Sequence, residues 1–75
     1  MDFEEACDRA EEIEFSMTGD RRLAALRREI DALDVGETGR AMFLCSLAEF
    51  LGFQGRWDEA REAYRNALSD GGRTI

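Results

Sequence analysis

The sequence predicts an all-α fold of two consecutive antiparallel helical hairpins, and three observations predict it. Apolar residues recur at spacings of three and four in four successive segments, the period of an amphipathic helix. Each segment ends at a glycine or a short polar run. No stretch alternates apolar with polar residues over a useful length, so no strand is expected. The 75 residues make one small domain at most.

The first helix is expected over residues 2–17, with Phe3, Ala6, Cys7, Ala10, Ile13 and Met17 on its apolar side. Thr18-Gly19 breaks it. The second is expected over 20–34, with Asp20 as its N-cap and Leu23, Leu26, Ile30 and Leu33 on one stripe. Gly36, Thr38 and Gly39 form a loop, and Thr38 or Gly39 can cap the third helix. That helix, over 40–54, is the most apolar: Met42, Phe43, Leu44, Leu47, Ala48, Phe50, Leu51 and Phe53 leave it few polar sides. Such a helix is expected to be covered from more than one direction. Gly55 ends it. The fourth is expected over 57–69, with Asp58 and Glu59 suiting its positive end and Gly71-Gly72 stopping it. Short connections make neighbouring helices antiparallel.

Charge narrows the function classes. Ten arginines stand against seventeen acids, a net of −7, with no histidine, lysine or proline. Asp2 to Glu14 carry seven acids and one arginine, so the excess is concentrated at the start of the chain. An acidic chain is a poor match to nucleic-acid phosphates. Without histidine the usual nucleophile pairings and zinc sites are absent. Cys7 and Cys45 are too far apart for a Cys-x-x-Cys motif and are expected to behave as small apolar residues. No acidic run has the spacing of a calcium loop. Neither a secretory leader nor a membrane-spanning run is evident, so a cytoplasmic location is expected, and no residue cluster calls for a cofactor. Arg21, Arg22, Arg27 and Arg28 are expected to balance the acidic first helix through salt bridges.

The chain also repeats. Shifted by 34 residues, Leu23, Leu26, Ile30 and Leu33 fall on Trp57, Ala60, Tyr64 and Ala67. Ala10, Ile13 and Met17 fall on Leu44, Leu47 and Leu51. Helical hairpins at this period signal a repeat architecture. The second unit reads Leu44-x-x-Leu47-Ala48-x-x-Leu51, then Gly55-x-Trp57, then Ala60-x-x-x-Tyr64-x-x-Ala67-Leu68. It resembles the tetratricopeptide repeat, above all in the string Gly55-Arg56-Trp57-Asp58-Glu59-Ala60. The match is good over 41–74 and degenerate over 7–40, where Glu14 and Arg21 fall on the small and turn-glycine positions.

The resemblance implies one tetratricopeptide-like domain over 1–75, stacked as a right-handed superhelix. Its repeat-packing core would be Leu44, Leu47, Ala48, Leu51, Trp57, Ala60, Tyr64 and Ala67. It also implies a non-catalytic scaffold that binds a protein or peptide along a concave surface. Carried over position by position, that surface would hold Met42, Cys45, Ser46, Glu49 and Phe53 from the second unit. The first unit would add Asp8, Glu11, Glu12 and Phe15. An acidic groove with apolar spots favours a basic or amphipathic partner. The family's carboxylate clamp is not expected: lysine is absent and the one asparagine, Asn66, is on a second helix. Two repeats are fewer than such arrays normally need, so the uncapped face of the fourth helix is expected to be covered by a second copy, by a partner protein or by further repeats, with a homodimer favoured as the commonest solution. The competing expectation is a small acidic helical-bundle regulator of the immunity type, blocking a basic target surface with its first helix.

Overall fold

The structure, a computed structural model, describes residues 2–34 and 37–72, with side chains through Ser69. Gly36 and the final residues of the second unit lie outside that range. Four helices follow in order: α1 (Phe3–Ser16), α2 (Gly19–Ala32), α3 (Thr38–Phe53) and α4 (Trp57–Gly72). The predicted all-α class and the four segments are present.

Local chemistry sets the ends. Asp2 caps α1, its Oδ1 accepting the Glu5 N–H at 2.8 Å, which satisfies a donor the helix leaves orphaned. Asp20 does not cap α2: the helix starts one residue earlier, at Gly19, with Thr18 in the cap position and no side-chain cap bond. Gly19 has φ +56°, a value glycine tolerates, so the helix can begin directly on it. Nor do Thr38 or Gly39 cap α3. Glu37 stands there, and its Oε1 reaches back to accept the Asp34 N–H at 3.2 Å. At the far end of α3 the Gly55 N–H bonds the Gly52 carbonyl at 3.0 Å and the Arg56 N–H bonds the Leu51 carbonyl at 2.9 Å. With Gly55 at φ +77° this pair of bonds is a Schellman close. α4 runs on to Gly72 rather than ending at Ser69. Glycine lowers helix propensity but, unlike proline, keeps its N–H, so the ladder continues through the pair.

Side-chain contacts fix the directions. Arg9 in mid-α1 meets Glu29 late in α2, making the first hairpin antiparallel. Arg22, early in α2, lies 4.7 Å over the ring of Phe50, late in α3. So α3 runs against α2 and in the same sense as α1, and α4 folds back on α3 through the Gly55 turn. Among the described residues α3 packs against all three other helices, whereas α4 packs against α3 alone. Ile13, Phe43 and Leu51 are the largest fully buried side chains. Among the described residues the core lies where α1, α2 and α3 meet and extends under α4 through Ala60, Ala63 and Ala67. No helix among the described residues is long and apolar enough to cross a membrane.

Candidate functional site

α4 is docked by its small residues and carries its large ones outward. Ala60, Ala63 and Ala67 are its buried stripe. Trp57, Arg61, Tyr64 and Leu68, spaced four, three and four apart, form a second stripe beside it. Trp57 is 65 % exposed, Tyr64 44 % and Leu68 76 %, and Phe53 at the end of α3 is 88 % exposed. Trp57 and Tyr64 were expected in the packing core with Leu44, Leu47, Ala48, Leu51, Ala60 and Ala67. Those six are buried, and the two aromatics are not. The reason is that α4 has a single neighbour, so only a narrow stripe of it is covered.

The outward stripe of α4 and the free side of α3 enclose a groove of about 720 Å³. Its floor is Ala48, Gly52 and Ala60, and its walls are Phe53, Trp57 and Tyr64. Gly52 leaves the Trp57 ring close to the backbone: a Cβ there would lie 3.4 Å from Trp57 Cζ3. Small floor residues thus make the groove deep, and aromatic walls make it apolar. Two opposite charges face it, Glu49 from α3 and Arg61 from α4. Among the described residues neither forms an ion pair.

Of the groove residues expected on α3, Glu49 and Phe53 line this groove, whereas Met42 and Cys45 pack against the core and Ser46 lines a separate cleft. Met42, Cys45, Glu49 and Phe53 follow at three, four and four along the helix, with Ser46 beside them; Glu49 and Phe53 are exposed and the others half-buried. Burial pushes the Cys45 thiol up from its ordinary pKa, and the Glu49 carboxylate adds to the shift. The residues expected on α1 do not line this groove. Asp8, Glu11 and Phe15 are exposed opposite the buried Ala10 and Ile13. Glu12 is exposed and pairs at 3.3 Å with Arg9 of its own helix, the arginine that also holds Glu29 of α2 at 2.9 Å. The α1 acid that reaches α3 is Glu14, in a small cleft of about 50 Å³ with Ser46 and Phe50.

The arginines of α2 do more varied work than balancing acids. Arg22 donates from Nη2 to the Glu14 carbonyl at 2.8 Å and from Nε to the Met17 carbonyl at 3.1 Å. It therefore serves the C-terminal carbonyls of α1 while its guanidinium lies on Phe50. Arg27 faces Glu59 across a cleft of about 180 Å³ between α2 and α4. Cys7 and Cys45 are free thiols. Among the described residues no three acids or cysteines converge on a metal-sized site. Arg61 completes the groove without having stood out in the sequence; its spacing from Trp57 and Tyr64 was the available signal. Comparison of the chain with models of known families, with curated proteins and with solved structures returns no match.

Proposed function

We propose that the chain is a non-catalytic protein–protein interaction module of the tetratricopeptide kind, binding through the groove between α3 and α4. The observation that carries this reading is the inverted α4, with alanines inside and Trp57, Tyr64 and Leu68 outside. A helix at the surface of a self-sufficient domain turns its large apolar residues inward. Contiguous apolar surface rimmed by charge is the usual mark of an interaction site. The same-sense run of α1 and α3, and the Gly55 turn into Trp57, support the repeat reading of the hairpins.

The partner site expected on α1 and α3 is narrowed by this reading. Glu49 and Phe53 of α3 contribute, and Met42, Cys45 and the α1 acids stand apart from the groove. The test compares three baits from one native extract: the chain, Trp57→Ala, and a chain with Asp8, Glu11 and Glu12 changed to lysine. A partner kept by the chain and the triple variant, and lost from Trp57→Ala, supports the groove. A partner lost only from the triple variant would transfer the function to the acidic helix. It would then favour the blocker reading.

A further inference from the structure

The groove has a feature that selects its occupant. Glu49 and Arg61 each stand six residues from Gly55, one before it and one after. In an antiparallel hairpin that puts them level, one on each wall of the same groove. A surface with an acid and a base placed level on two antiparallel helices is complementary to itself. A two-fold axis along the groove lays α3 of each copy on α4 of the other. Each Glu49 then meets the partner's Arg61, and each Phe53 meets the partner's Trp57. The other in-plane axis, across the groove, would set acid on acid and base on base.

Area and net charge agree. By ordinary side-chain areas, Phe53, Trp57, Tyr64 and Leu68 together leave on the order of 500 Å² of mostly apolar surface on one side of the molecule. Two copies face to face would bury about 1,000 Å² from these residues alone, the size at which specific interfaces begin. Residues 38–72 carry five acids and four arginines, so this half is nearly neutral. The acidic excess sits on α1, which among the described residues makes no contact with α4. A strongly basic partner has little to attract it to the groove, and two copies meeting there have little to repel them.

We infer that the groove between α3 and α4 binds a second copy of this chain in an isologous, two-fold arrangement, with Glu49 of each copy paired to the partner's Arg61. This rests on the proposed function and names the partner of the same site. Both charges are exposed and helical, so reversing either leaves the core and helix propensity nearly unchanged. Glu49→Arg alone sets two arginines against two, and Arg61→Glu alone sets two acids against two. Mixing the two variants restores both pairs in a heterodimer.

The experiment is sedimentation equilibrium on the wild-type chain, each variant and their equimolar mixture, with circular dichroism to check helicity. The wild type is expected to dimerise, each variant to dimerise at least about tenfold more weakly, and the mixture to recover wild-type affinity as a one-to-one heterodimer. A mixture no tighter than the variants overturns the two-fold pairing. A wild type that is monomeric at every concentration, yet loses a captured partner on Trp57→Ala, overturns this inference and leaves the proposed function standing. A dimer indifferent to Trp57→Ala and to both charge reversals overturns both.

Discussion

Single residues account for how each helix ends and how the hairpins are tied. Gly55 holds φ +77°, which any side chain with a Cβ resists, although the space around it is open. Gly55→Ala is therefore expected to cost about 1 kcal/mol through backbone strain alone, measured by urea unfolding. Arg22 joins three helices through two carbonyl bonds and one ring. Arg22→Met keeps the stem but loses the donors, and is expected to destabilise by about 1–2 kcal/mol. Gly55 was legible as a turn residue because left-handed backbone positions demand glycine. Arg22 was not, because a bond to a backbone carbonyl leaves no pattern among side chains. Its neighbours on paper were acids, and its partners in space are the end of a helix and a phenyl ring.

Titration also acts residue by residue. Glu59 is held below its ordinary pKa by the hydrogen bond from Arg56, and Glu37 by the Asp34 N–H. A carboxylate whose pKa is lower folded than unfolded contributes stability above the unfolded value. That contribution is lost as pH falls through the folded value. The urea midpoint is thus expected to fall on acidification below the ordinary carboxylate range, and less so in Glu59→Gln. Cys45 has the opposite sign. Its raised thiol pKa means stability present at neutral pH is lost as pH rises past the unfolded thiol value. Its alkylation at neutral pH should be slower folded than in denaturant.

At the scale of the element, the helices could be read from the sequence and the orientation of one of them could not. Spacings of three and four located all four segments, because the period of the backbone sets them whatever they pack against. Trp57, Ala60, Tyr64 and Ala67 look like one stripe on paper. They divide in space, since residues three apart on a helix are separated by about 60° and the alanines alone can approach α3 closely. Which half of a broad stripe is covered depends on how many neighbours the helix has. α4 has one. Trp57→Ser and Leu68→Ser are accordingly expected to change monomer stability by less than about 1 kcal/mol, where a buried counterpart such as Leu51→Ala costs about 2–5 kcal/mol. Chemical denaturation at concentrations where the chain is monomeric distinguishes the two classes.

The whole molecule is thin and lightly cored. Its extents are 32 × 26 × 16 Å, the shortest leaving room for two layers of helix. Of fourteen buried apolar residues among those described, six are alanine, so the core offers less burial than its length suggests. A domain of this size is marginal unless something else covers its surface. Association that binds only the folded chain raises apparent stability by mass action. The melting temperature is therefore expected to rise with protein concentration, and that dependence should vanish in Trp57→Ala.

Trp57 is the one tryptophan in the chain, which makes it a reporter placed in the groove itself. The most direct measurement is its emission maximum followed with the solution mass through a dilution series. The prediction is a solvent-like emission in the dilute monomer that moves to shorter wavelength as the mass doubles. Emission that stays the same while the mass doubles would put the contact elsewhere and contradict the account.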